Sequence, residues 1–312
     1  MTYDVIVIGG GPAGMSAAVA LGRALRTVLL VDAGTPRNAP ADGIHNYLTR
    51  DNITPADFRT AGRSEVTHYG GELVDGTVAS ASSSEGSLTV TLEDGQTFTA
   101  RRLLVTTGLT DELPSIPGLR ERWGHDVIHC PYCHGYEARG QAIGIIGSSP
   151  MSLHQALMWR QWSDNVTLFL HEAPAPDPTQ AEQLAARGIK VVTDKVTEVV
   201  VKNNTLTGVR LEDGTVIDRE VLVVAPRFMA NAEPLPSLGL TATENDFGSV
   251  VVAEPNGKTS VPGVWVAGNV SDQMAQVVSS ASAGLLVAAQ LNADLIQEDA
   301  NLAVAAHQAT TN

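Results

Sequence analysis

A chain of 312 residues has room for one large or two ordinary domains, each with a core big enough to need no disulfide staple. With 43% hydrophobic and 17% charged residues, its composition is that of a packed globular protein and excludes a disordered or fibrous one. The 20 Lys plus Arg face 34 Asp plus Glu, and a net charge of −14 repels phosphate backbones and anionic lipid surfaces, so nucleic acid and membranes are excluded as partners.

Along the chain, Tyr3 to Ile8 is a β-branched run followed by Gly9, Gly10, Gly11 and Gly14. The next segment, MSAAVALGRALR, has helical spacing, and a second apolar run from Thr27 to Val31 ends at Asp32. Strand, tight turn, helix and strand ending in an acid make a dinucleotide-binding βαβ unit. Between Gly71 and Gly108 the pattern changes to short alternating strands with turns at Glu85-Gly86 and Asp94-Gly95, closing on Leu103 to Val105. A second copy follows: strand Ala142 to Ile146, a loop from Gly147, helix SLHQALMWRQW, strand Val166 to Leu170 and another meander.

The two meanders match at an offset of 119 residues. Leu92-Glu93-Asp94-Gly95 recurs as Leu211-Glu212-Asp213-Gly214, and Leu103-Leu104-Val105 as Leu222-Val223-Val224, which marks an internal duplication. The first unit lacks its last strand until Val261 to Gly268, which precedes a helical pattern from Ser280 to Leu295. The expected architecture is therefore α/β, with two Rossmann-like dinucleotide-binding domains, the second inserted into the first: residues 1–113 and 244–312, and residues 114–243. The Ala-rich tail after Asn301 reads as a frayed helix end. No apolar stretch reaches the ~20 residues of a spanning helix. The N-terminal run lacks a basic region or cleavage site, so a cytoplasmic protein is expected.

Two motifs carry chemistry. Gly9-x-Gly11-x-x-Gly14, with Pro12 at the helix start, permits a tight turn and close approach of backbone to a pyrophosphate, and Asp32 is placed to accept from a ribose hydroxyl. His129-Cys130-Pro131-Tyr132-Cys133-His134-Gly135 contains the chain's only two cysteines. The run matches a c-type haem attachment site, which requires export. It offers zinc Cys130, Cys133 and two of His125, His129 and His134, although there is no second CxxC. A buried structural thiol pair is a third possibility. Redox use fits best, because a CxxC pair closes a readily reduced disulfide and its neighbours tune the thiol pKa.

GGGPAG at the N-terminus, Thr107-Gly108 after the first meander, CPYC opening the second unit and Gly268-Asn269-Val270 together resemble the low-molecular-weight thioredoxin reductases, FAD enzymes, over nearly the whole chain. That resemblance implies an FAD site lined by Gly11, Pro12, Ala13, Asp32, Asn46, Gly108, Gln276 and Val277, and a homodimer. Asn269 stands where the family usually has Asp, keeping an acceptor oxygen without the charge. The family's NADPH loop and basic cluster are missing. The second loop reads Gly147-Ser148-Ser149-Pro150-Met151-Ser152, and no Arg or Lys occurs from Val166 to Ala186, where Glu172 would repel a 2′-phosphate.

CPYCHGYE further resembles a subgroup, the dithiol oxidases that close disulfides in gliotoxin- and holomycin-type natural products. The resemblance implies that a thiolate of a small-molecule dithiol attacks Cys130, that His134 takes the thiol proton, and that Cys133 returns electrons to FAD for O2, giving H2O2. A protein dithiol remains open as substrate. His125 and His129 read as structural. Two alternatives stand: a disulfide reductase fed by NAD(P)H or by ferredoxin, the latter a poor electrostatic match for so acidic a chain, and a non-enzymatic redox sensor or zinc module.

Overall fold

The computed structural model describes residues 2–84 and 86–311, so Glu85 of the Glu85-Gly86 turn lies outside it. The chain divides into two compact units, residues 1–39, 55–110 and 228–312, and residues 40–54 and 111–227. No helix among the described residues is long and apolar enough to cross a membrane.

In the first unit, strand Thr2–Ile8 pairs in parallel with Val28–Asp32 on one side and Thr97–Val105 on the other. Alternation along the strand sorts its side chains. Val5 and Val7 pack under helices Pro12–Arg23 and Val277–Thr311, whereas Ile6 and Ile8 join the opposite cluster with Leu235 and Val251. All of these residues are buried, as a parallel strand covered on both faces requires. Strand Val264–Val266, reached only after the second unit, pairs in parallel with Leu103–Val105 and completes the sheet. The insertion read from the duplication is thus built into the strand order.

The second unit repeats the plan: Ile143–Ile146, helix Met151–Trp159 and Val166–Phe169 form a βαβ unit with parallel pairing. The duplicated turns form the same hydrogen bonds. Gly95 (φ 87°) and Gly214 (φ 88°) donate to Leu92 and Leu211, and Asp94 and Asp213 each accept the amide two residues on, at 2.9 and 2.8 Å. The meanders differ in attachment. The first continues the parallel sheet through Thr97–Val105, while the second, Val196–Lys202 to Val216–Asp218, is a separate three-stranded sheet.

Three expectations are corrected. The last helix begins at Val277 and runs to Thr311, well past Leu295, and residues 302–310 are exposed helix. Arg26, Arg101 and Arg102 pin it through Asp299 and Asp294 at 2.5–2.8 Å. The second boundary falls at Arg227/Phe228 rather than 243/244, because Phe228 and Met229 pair with Gly248 and Ser249, and Ser237 Oγ donates to Ala81. Residues 40–54 pack with the second unit, where Pro40 fills the space beside Gly124.

Candidate active site and dinucleotide cradle

Residues Gly9 to Gly14 lie at the carboxyl end of the first strand, where open parallel sheets bind ligands. A Cβ at Gly14 would stand 1.9 Å from the Gly9 carbonyl oxygen, so only glycine lets helix and strand approach this closely. A Cβ at Gly11 would meet nothing, leaving open space above the turn. Helix Pro12–Arg23 starts with Pro at its first position and has no side-chain cap or first-turn acid, so its amides present positive partial charge to that space. This cradle suits a pyrophosphate.

The same unit gathers most other residues expected here. Thr106 Oγ1 donates to the Ile8 and Gly9 carbonyls at 3.0 and 2.8 Å, and Thr107 Oγ1 donates to Asn231 at 2.5 Å. Gly108 (φ 72°) accepts the Asn231 amide, and Gly268 lies against Ala13. Asp32 is buried at the end of its strand, its Oδ1 accepting from Gly10 and Gly34 and its Oδ2 from Arg59 at 2.7 and 2.9 Å. Although burial is the largest single influence and opposes it, these donors together hold the carboxyl below the usual range. Ribose hydroxyls would have to replace part of the Arg59 fork. Asn269 donates to the Asp272 and Ala275 carbonyls, both at 2.9 Å, and accepts from Arg37 at 3.3 Å. An aspartate could make neither donation, which explains the amide. Gln276 and Val277 lead directly into the last helix. Asn46 is placed apart from these: it packs in the second unit, where it donates to the Tyr132 carbonyl at 2.6 Å.

In that unit Cys130 and Cys133 are joined as a disulfide, with Cα atoms 5.2 Å apart. The pair opens a single helical turn, Pro131–His134, begun by proline and closed by the His134 amide donating to Cys130 at 3.1 Å. Trp162 seats the turn: its indole fills the space beside Gly135, and Tyr132 meets it edge-on with centroids 6.0 Å apart. His129 is anchored to the Val224 carbonyl at 3.0 Å, and His125 is exposed. Among the described residues, no cluster of three or more His, Cys, Asp or Glu is arranged to hold a metal.

His134 differs from its neighbours. Both ring nitrogens are buried, and neither makes a well-formed hydrogen bond among the described residues. Burial moves its pKa below the ordinary histidine value, opposed by the nearby Cys130 carbonyl and the Glu137 carboxylate. The ring is neutral at pH 7 and able to accept a proton. It borders a cleft of about 400 Å³ that also contains Glu137, the last residue of the CPYCHGYE run, and His45, which carried no recognisable motif.

The second glycine loop is closed upon itself. Ser152 Oγ accepts the amides of Ser148 and Ser149 at 3.1 and 3.4 Å, the positions at which a pyrophosphate would be held. The Leu170–Ala173 turn folds against Gly147, with the Glu172 amide donating to Gly147 at 3.0 Å. His171 has φ 49°, its Nδ1 is buried without a partner among the described residues, and burial lowers its pKa.

The family model for pyridine nucleotide-disulphide oxidoreductases, flavoenzymes in general, matches residues 3–284. A thioredoxin reductase, sirT, of Leptosphaeria maculans is 32% identical over 95% of both chains. Another, tcpT, of Claviceps purpurea is 33% identical over 94% of this chain and 95% of the relative. The crystal structure of HlmI superimposes with a TM-score of 0.93 at 42% identity, covering 100% of this chain and 98% of that one. Duplicated Rossmann units, a disulfide at the head of the second and these relatives agree: the chain belongs to the pyridine nucleotide-disulphide oxidoreductase family, as a thioredoxin reductase-like disulfide oxidoreductase.

Proposed function

We propose that this protein is an FAD-dependent dithiol oxidase of the cytoplasm that closes a disulfide in a small-molecule dithiol, with O2 as acceptor and H2O2 as product. One observation carries the reading: the disulfide is followed directly by His134, whose buried ring nitrogens make no well-formed hydrogen bond among the described residues, while the second dinucleotide loop is capped by its own Ser152. A reductase fed by NAD(P)H must hold its nucleotide at that loop, whereas an oxidase has no use for it.

FAD would be held by the Gly9–Gly14 turn, Pro12, Ala13, Asp32, Thr107, Gly108, Gly268, Asn269, Gln276 and Val277, with Asn46 included by family resemblance alone. When bound, it supplies a two-electron acceptor for the enzyme dithiol and a route to oxygen. The chain's own residues do the sulfur chemistry. His134 takes the proton of an incoming thiol, and the thiolate attacks Cys130, breaking the Cys130–Cys133 bond and leaving Cys133 as thiolate. The substrate's second thiol, deprotonated in turn, displaces Cys130 and forms the product disulfide. Two protons and two electrons leave each substrate, and H2O2 takes up both.

A homodimer is part of this reading. Leu285, Leu286, Ile296, Leu302 and Val304 on the last helix are each at least half exposed, more apolar surface than a solvated helix face needs.

The second reading, favoured by the names of the relatives, is an NAD(P)H-fed thioredoxin reductase. Anaerobic mixing of the flavin-loaded protein with NADPH, NADH or dithiothreitol separates the two. Bleaching by the dithiol alone supports the oxidase, and rapid bleaching by either nucleotide overturns it.

A further inference from the structure

Oxidising a dithiol releases two protons at sulfur, and a base buried beside a disulfide stalls unless it can pass each one on. His134 follows Cys133 directly, and its ring borders the cleft of about 400 Å³ whose lining lies wholly in the second unit. Glu137, one turn on, and His45, from the 40–54 segment, stand in the same cleft. His45 Nε2 lies 3.7 Å from Glu137 Oε1, and its Nδ1 lies 3.2 Å from Asp51 Oδ1. His45, between the two carboxylates, is 21% exposed, and Glu137 and Asp51 on either side of it are 49% and 74% exposed, so both carboxylates meet solvent. An Nδ1–H held by Asp51 leaves Nε2 free to take a proton from Glu137 once that carboxylate has picked one up.

We infer that this cleft is the proton outlet of the active site, with His134 at its inner end and the Glu137–His45 pair as the first acceptor on the solvent side. The inference rests on the proton-accepting role proposed for His134. The other charged groups facing the cleft are committed or peripheral. Asp126 is bound by Arg122 at 2.5 and 2.7 Å and by the Leu206 amide, and Glu220 accepts the Ala142 amide at 2.7 Å. His125 is exposed, and Asp42 adds negative potential that, with Glu137, favours the imidazolium while His45 opposes it. Glu137 and His45 are thus the groups available for transfer. They act as positioning and relay residues, passing on a proton taken at His134.

The test uses the flavin-loaded full chain with Glu137→Gln and His45→Gln. Flavin reduction by dithiothreitol is followed anaerobically from pH 5.5 to 9, at low and at high imidazole concentration. A relay predicts a rate about 10-fold below wild type in dilute buffer, part of the 10²–10⁴-fold typical of acid–base catalysis, restored by added imidazole. It also predicts that the acid limb of the Glu137→Gln profile moves to lower pH, because the carboxylate no longer favours the imidazolium. Wild-type rates in both variants, or a loss that imidazole does not restore, overturn the relay. Should NADPH rather than the dithiol reduce the wild type, the oxidase reading fails; the same variants and buffers then read the relay in reverse, because protons cross the same groups in both directions.

Discussion

The two glycine loops of this chain descend from one plan and have diverged in what satisfies their backbone. In the first, Gly11 opens on empty space and the amides of helix Pro12–Arg23 have no side-chain cap. In the second, Ser152 supplies the oxygen that a phosphate would supply, and the turn at Leu170–Ala173 fills the approach to Gly147. The difference teaches that a loop can satisfy its amides from within, by gaining a hydrogen-bond partner, as well as by losing a glycine. Exposed amides still attract an anion; amides already bonded do not.

The comparison breaks most plainly if electrons enter through the second loop. Cys133→Ser removes the sulfur that must leave as thiolate, so dithiol oxidation should fall by at least about 10³-fold, with the protein still yellow. Steady-state oxygen consumption with dithiothreitol measures it, and turnover in that variant would break the disulfide mechanism. Removing the base costs less. His134→Gln should lower the flavin reduction rate by about 10² at pH 7, within the usual range for a general base. In the wild type, the acid limb of the rate profile should lie below about pH 6.5, because burial disfavours the imidazolium. Stability follows the same sign. His134 and His171 both have folded pKa values below their unfolded ones, so the unfolded chain binds more protons and stability is lost as pH falls from about 6.5 through the folded values. Thermal melts between pH 5 and 8 should show that fall, and His171→Asn should flatten part of it.

Within the first loop, Gly14→Ala sets a Cβ against the Gly9 carbonyl and should cut flavin retention by about 10-fold or more. Far-ultraviolet circular dichroism distinguishes loss of cofactor from loss of fold, and a fully yellow Gly14→Ala protein would remove the cradle from the argument.

The parts of the molecule legible in the sequence were those governed by local rules. A β-branched run and turn glycines gave the first strand and its loop, and the repeated Leu-Glu-Asp-Gly turn gave the duplication, because an Asp two residues before its amide partner forms the same bonds wherever it occurs. The cysteine motif was legible for the same reason. What escaped depended on contacts between distant segments. His45 gains meaning only from Glu137, 92 residues away, and the 40–54 segment has no periodicity to show that it packs on the cysteine turn. Helices Pro55–His68 and Pro178–Ala186 also escaped, since their few buried residues leave a weak apolar stripe. Asp32 was read as a ribose acceptor, and its Arg59 partner lies on the first of those helices.

The smallest effect sharpens the comparison most. Ser152→Ala removes the oxygen shared by the Ser148 and Ser149 amides and changes nothing at the disulfide. Both amides belong to half-buried residues that water can reach, so the stability cost should be about 1 kcal/mol, read from urea unfolding. Dithiol oxidation should stay within about 2-fold of wild type, a change of about 0.4 kcal/mol at most. The reopened amides should still fail to recruit NADPH, because Glu172 remains at the ribose position with no cation from Val166 to Ala186. If Ser152→Ala alone allowed NADPH to bleach the flavin, the self-made cap would be the only barrier, and the missing basic cluster would carry no weight. If bleaching required Glu172→Arg as well, cap and charge would be separate locks on one site, and the second loop would be a nucleotide cradle closed twice over.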